Sequence, residues 1–256
     1  MNIFFQLLNI IYAVLSFFRR KVFLLNIKPD DLVLDIGSGD KPFWRADVFV
    51  DLYTEDDQQR FSGSMLYDKR KLFINANVEK LPFADKSFDF VFCSHLLEHV
   101  EHPERAIAEI TRVGKRGYIE VPRAILDALA PFPPHLWFCE TDGKTLIFKR
   151  KGKEKNFFLR SMESFGGKYF YTPLMQYLFM KNIDAGFIRY YWNNHVDFRI
   201  EKAEGEEYKY IYNPAKIHKK SVLVTFSHAV YKLFYLTLNA LYYKEKKIDR
   251  NKILKH

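Results

Sequence analysis

Carboxylates and glycines gather at one point early in the chain. Two short apolar runs, Leu32–Ile36 and Val48–Val50, each meet an acid at or near the carboxyl end, Asp35 and Asp51. Between them stands Gly37-Ser38-Gly39, where the backbone can take positive φ and let a ligand approach closely. A glycine turn leaving a buried strand, with an acid ending the next strand, is an arrangement for holding a nucleoside. The turn's N–H groups meet the ligand's polar tail, and the acid accepts from ribose hydroxyls. Two departures from the dinucleotide pattern narrow the ligand. The third glycine is replaced by Asp40-Lys41-Pro42, and Asp35 sits where a pyrophosphate would be repelled. An acid there suits a cationic tail, such as one carrying an ammonium and a sulfonium.

A longer stretch extends the pattern. Leu-Pro-Phe-Ala-Asp-Lys-Ser-Phe-Asp at 81–89 is followed by Ser-His-Leu-Leu-Glu-His-Val at 94–100. With Val33–Gly39 and Arg116–Pro122, these residues closely resemble the class I S-adenosylmethionine-dependent methyltransferases, in particular the type-11 group, over roughly residues 30–125. The resemblance implies an α/β, Rossmann-like fold with a mostly parallel seven-stranded sheet whose last strand is antiparallel. It implies an enzyme, with S-adenosylmethionine as cofactor.

Carried over residue by residue, the resemblance has Asp35, Gly37, Ser38 and Gly39 bordering the methionine end. Asp51 takes the ribose hydroxyls, with Leu52 beside the adenine. Asn77 stands where the family usually has Asp; it can still accept through its carbonyl oxygen near the adenine amino group, and Val78 gives the adjacent N–H. Ser94 and His95 line the methyl side. Methyl transfer is an in-line displacement, so the protein mainly positions the acceptor and excludes water; a base is needed only for a hydroxyl of high pKa. The catalytic candidates are His135, in the proline-rich loop where such folds build their acceptor pocket, and His95. His99 reads as structural, and Trp137 and Phe138 as an apolar wall or as core. His95-Leu-Leu-Glu98-His99 also matches a zinc-peptidase pattern. That chemistry needs the motif on a helix with a third ligand downstream, whereas here it begins at the mouth of a strand, and no metal is expected.

Elements must hold these groups in place. The apolar runs predict strands at 32–36, 47–52, 72–75, 88–94 and 116–121, short and buried on both faces. Only about ten residues join the first two and they include Pro42, so that crossover is a stub or an irregular loop. Pro103 opens a helix over 103–113. A hairpin is predicted between Thr145–Lys149 and Asn156–Leu159 across Lys151-Gly152-Lys153, and a helix over Thr172–Lys181. A second hairpin is predicted between Gly186–Trp192 and Val196–Glu201. Residues 2–18 and 220–243 each form an apolar helix with a narrow polar stripe; in the second, Ser221, Thr225, His228, Lys232 and Asn239 share one face, with His228 solvated. The chain divides into an N-terminal apolar helix (1–29), a methyltransferase domain (30–215, with a cofactor half at 30–122 and an insertion and acceptor half at 123–215) and a basic apolar helix and tail (216–256).

Two cysteines, Cys93 and Cys139, give no disulfide framework, and nothing implies an oxidising compartment. The net charge of +9 is concentrated at the end, where ten lysines or arginines in 216–256 face only Glu245 and Asp249. That asymmetry implies an anionic partner, and with the two apolar helices it favours a peripheral position on the cytoplasmic face of a membrane. Nucleic acid is disfavoured, because the tail's aromatic residues lie on an apolar helix face rather than forming stacking platforms. The expected activity is methyl transfer to a small-molecule, glycan or lipid-linked acceptor. The alternative is a membrane-associated scaffold that keeps the fold without turnover, suggested by the altered glycine turn and Asn77. Acceptor identity and oligomeric state are not written in the sequence.

Overall fold

The computed structural model describes residues 26–54, 64–170, 172–211, 222–243 and 246–255; the helix expected at 2–18 lies outside them. The apolar runs form strands at the expected places: β1 (Val33–Ile36), β2 (Val48–Asp51), β3 (Leu72–Asn75) and β4 (Phe90–Ser94). After α1 (Pro103–Val113) comes β5 (Arg116–Pro122). Pro103 opens α1 and Ala106, Ile107, Ile110 and Val113 make its buried stripe, the spacing of a helix laid on a core. All five strands are parallel, in spatial order β3-β2-β1-β4-β5. The order reverses between β1 and β4. In open α/β sheets a ligand crevice forms outside the carboxyl ends of the strands at such a switch point.

Beyond β5 the chain forms α2 (Ala124–Leu129), β6 (Trp137–Thr141), β7 (Leu146–Arg150), α3 (Phe157–Tyr169), α4 (Pro173–Lys181), β8 (Phe187–Asn193) and β9 (Phe198–Glu201). The expected hairpin between Thr145–Lys149 and Asn156–Leu159 is absent: β7 pairs backward with β6, antiparallel. Asp142 makes that turn by accepting from the N–H groups of Lys144 and Thr145, with Gly143 at φ +98°. Asn156 instead caps α3, accepting from the Leu159 N–H, which turns the apolar run after it into helix rather than strand.

The second expected hairpin also fails. β8 pairs antiparallel with β5 as the last strand of the main sheet, while β9 joins β7 in a separate three-stranded sheet. Among the described residues the main sheet has six strands rather than the expected seven. Asn194, at φ +63°, donates its N–H to Lys115 O. The Tyr190 hydroxyl then bridges Lys144 O and the Asp197 N–H. These contacts lead the chain away from β8 and onto β7.

As expected, no helix fills the short β1–β2 connection. The sheet face carrying Val33, Phe49, Phe90, Phe92 and Tyr118 is covered by α5 (Val222–Tyr242), which inserts Tyr231 and Tyr235. The opposite face is closed by α1 and by Ile253 of α6 (Arg250–Ile253). Past α6 the chain bonds back to the 82–84 segment. Part of the polar stripe of α5 turns toward the core rather than to water, although Lys232 is exposed. Asn239 is 1% exposed, and the half-buried His228 has Nε2 3.1 Å from Asp40 O. Leu233, Leu236 and Leu241 lie outward, 48–68% exposed. Periodicity locates a stripe on a helix but not the side that meets the core, and here two tyrosines decide it. The Tyr231 hydroxyl is satisfied inside by Pro42 O. Cys93 and Cys139 are both free and buried core residues.

Candidate functional site

The glycine turn leaves β1 at the switch point. Gly37 (φ +72°) and Gly39 (φ +50°) are both left-handed. A Cβ on Gly37 would stand 3.1 Å from the Leu96 side chain, so glycine is needed for conformation and for space. The turn is pinned to the end of β2, since the Gly37 N–H donates to Val50 O and the Gly39 N–H to Asp51 Oδ2 at 2.8 Å. Asp51 Oδ1 accepts from the Tyr53 N–H, which aims a 9%-exposed carboxylate along the rim of the crevice. Asp35, 2% exposed, accepts from the Phe43 N–H and so shapes the segment after the turn.

The remaining cofactor candidates ring the same edge. Leu52 is 43% exposed beside Asp51, and Asn75 Nδ2 donates to the carbonyls of both Asp51 and Leu52. Asn77 is exposed and its Oδ1 accepts from the Glu79 N–H, while Val78 is buried. Ser94 ends β4 and donates to Glu120 Oε1 across to β5. The structure thus brings Asp35, Gly37, Ser38, Gly39, Asp51, Leu52 and Ser94 to one end of the sheet, with Asn77 and Val78 just beyond β3. An acid beside a left-handed glycine turn fits a ribose and a cationic tail. These residues are the ones that would hold S-adenosylmethionine.

His95 follows Ser94 with φ +57°. A non-glycine residue held there costs of order 1–3 kcal/mol, and such strain gathers at ligand sites. The ring stands between two buried acids: Nδ1 is 3.3 Å from Glu98 Oε1 and Nε2 is 3.2 Å from Glu120 Oε1. The first is a hydrogen bond; the second is close but not aligned as one, and acts through charge. Burial works against a charged ring, but the carboxylates of Glu120 and Glu98 outweigh it and raise the His95 pKa above its usual value. Glu120 also takes the Tyr118 hydroxyl at 2.6 Å.

His135 comes from the loop before β6 and meets the same cluster. Its Nδ1 is 2.9 Å from Asp127 Oδ1 on α2, and its Nε2 is 3.9 Å from Glu98 Oε1. Asp127 also pairs with Lys151, the residue after β7. Burial would raise the Asp127 pKa, but His135 and Lys151 lower it. Glu98 behaves alike: burial opposes its charge and the surrounding histidines restore it, leaving the pKa lowered. His99 packs edge-on against the His135 ring, centroids 4.6 Å apart. Burial, with His135 beside it, drops its pKa to about 3, so the ring is neutral. Trp137 is core, donating to Val100 O.

His95 and His135 were legible from sequence. Asp127, Glu120 and Lys151 were not, and Glu98 entered only through the peptidase pattern. One signal existed for Asp127: a lone acid inside Ala124–Leu129, an otherwise apolar stretch whose burial demands a partner.

Residues 34–119 match the family described as methyltransferase domain. A demethylmenaquinone methyltransferase of Renibacterium salmoninarum is 39% identical over 98 residues, covering 35% of this chain and 39% of that protein. A ubiquinone/menaquinone biosynthesis C-methyltransferase of Burkholderia mallei is 32% identical over 108 residues, covering 36% and 42%. The chain thus matches about two fifths of the length of these curated relatives. Among solved structures, a putative methyltransferase from an antibiotic biosynthesis pathway of Anabaena variabilis is similar, with TM-score 0.36, 19% identity and coverage of 48% and 53%.

Proposed function

The chain carries a class I S-adenosylmethionine-dependent methyltransferase domain, and from that premise we propose that it transfers a methyl group to an apolar, lipid-linked acceptor at a membrane surface. The observation that carries the catalytic part is Asp51, folded against Gly39 at the switch point of the parallel sheet. When bound, S-adenosylmethionine supplies a methyl carbon already activated by its sulfonium. The protein then has two tasks. Asp51 grips ribose hydroxyls while the glycine turn admits the methionine end. On the other side of the crevice His95 and His135, each held by buried carboxylates, fix the acceptor and keep water out.

The surface supports the lipid part. α3 and α4 expose Phe157, Phe158, Phe165, Leu174, Tyr177 and Leu178, with Phe157 83% exposed. Lys155, Arg160, Lys168 and Lys181 stand among them. Exposed apolar side chains with cations among them suit an interface with anionic headgroups. α5 also carries outward leucines, and the relatives' names concern quinones, which are apolar. No helix among the described residues is long and apolar enough to cross a membrane.

The test pairs methyl-labelled cofactor with lipid extracts, and sedimentation with anionic liposomes at low and high salt. Label in an extractable lipid and salt-sensitive sedimentation support the proposal. A chain that stays in the supernatant at low salt removes the membrane part. A folded chain that binds cofactor yet labels no acceptor favours the scaffold.

A further inference from the structure

Three ligand-bearing side chains converge where the loop after β4 meets the loop before β6. Ligand atoms of Glu98, His99 and His135 all lie within 4.8 Å of one another. Glu98 is wholly buried, yet its Oε2 has no hydrogen-bond partner. His99 Nδ1 is likewise buried without one. Buried polar atoms are nearly always satisfied, and each exception asks what completes it. His135 brings the third donor. Its Nδ1 is engaged by Asp127, which leaves Nε2 free on the side of Glu98, 3.9 Å from Oε1. A histidine whose other nitrogen is held by a buried carboxylate is how metal-binding imidazoles are oriented and made more basic.

We propose that Glu98, His99 and His135 bind one divalent transition-metal ion of the zinc class. Two imidazole nitrogens and one carboxylate oxygen form a donor set suited to Zn²⁺ or Co²⁺ rather than to Ca²⁺ or Mg²⁺, which prefer oxygen alone. Around an ion with bonds of about 2.0–2.1 Å, tetrahedral ligand atoms stand roughly 3.3 Å apart. The three side chains reach that spacing by closing up to about 1.5 Å from their present separations of at most 4.8 Å, by side-chain rotation. Three protein ligands leave a fourth position for water or an acceptor oxygen, the pattern of catalytic rather than structural sites. Glu98 also holds His95, which follows β4 directly, so the ion sits at the acceptor side of the crevice. What the ion does there rests on the methyltransferase reading; that it binds does not.

The full chain, stripped with chelator, is titrated with Zn²⁺ by calorimetry and with Co²⁺ by visible absorption, without cofactor. One ion per chain is expected, with His99→Ala and His135→Ala each weakening binding at least tenfold. Asp127→Asn, which touches no ion, is expected to weaken it roughly 10–100-fold by loosening His135. The site is refuted if the parent binds no ion, or if affinity is unchanged in the His99 and His135 variants. Should those variants unfold, anomalous scattering from a Co²⁺-soaked crystal of the parent decides. A peak among the three side chains supports the site, and a peak only at exposed histidines such as His195 overturns it. Because neither readout uses S-adenosylmethionine, failure here leaves the methyltransferase reading standing.

Discussion

His135 Nδ1 lies 2.9 Å from Asp127 Oδ1, joining a histidine of the loop before β6 to an acid on α2. Lys151 closes on the same acid from the end of β7. Three separate parts of the insertion thus fix one imidazole against the Glu98 end of the crevice.

In the proposed function His135 acts on the acceptor side, whether its Nε2 meets a proton or a metal ion. His135→Ala is expected to leave cofactor affinity intact and to cut turnover roughly a hundredfold or more. Asp127→Asn keeps the shape but loses the charge, and a fall in kcat of about tenfold with unchanged cofactor affinity is expected. Steady-state kinetics on the true acceptor check both. Activity within a few-fold of the parent in both variants would make the pair a loop anchor only.

Gly166 sets how closely α3 approaches α2. A Cβ there would stand 1.7 Å from Leu129 O, a backbone atom that cannot swing aside. Gly166→Ala must push α3 away from the helix that carries Asp127, at a cost of about 1–3 kcal/mol. Denaturant melts measure it. An unchanged midpoint would mean that the two helices part without loss.

Lys71 is 5% exposed, its Nζ donating to Trp44 O and standing 3.9 Å from the centroid of the Tyr243 ring. Burial lowers its pKa from the usual 10.5 to about 7. Between those values the unfolded chain holds a proton that the folded one has released. This group's contribution to stability therefore rises as pH goes from about 7 to about 10.5, and its penalty is complete below about 7. Melting temperatures at pH 7.0 and 9.5 should show that rise in the parent, and less of it in Lys71→Met. An identical pH response in both would place the lysine's charge elsewhere.

The sheet was legible because buried parallel strands leave continuous apolar runs. The glycine turn was legible because only a few residue types tolerate φ near Gly37's +72°. The insertion was not. Asn156 reads as strand edge or as helix cap, and the choice depends on whether Leu159 N is free to receive it. β9 looks like the return arm of a hairpin until Tyr190 commits the preceding residues to Lys144. The site divides the same way. Asp51 and Ser94 follow from strand ends, whereas Asp127, Glu120 and Lys151 meet the histidines only through long-range packing. For α5 the polar stripe was legible but the side that meets the sheet was not, because the long-range packing of Tyr231 and Tyr235 decides it.

Asp51 bears the most weight, because it joins the glycine turn to the ligand it is argued to hold. Calorimetric titration of S-adenosylmethionine into the full chain and into Asp51→Ala, each first shown folded by circular dichroism, tests it directly. The account predicts saturable one-to-one binding by the parent and a loss of about 1–3 kcal/mol in the variant, the scale of hydrogen bonds to a charged group. Equal affinity in the two proteins, or no binding by the folded parent, would contradict it.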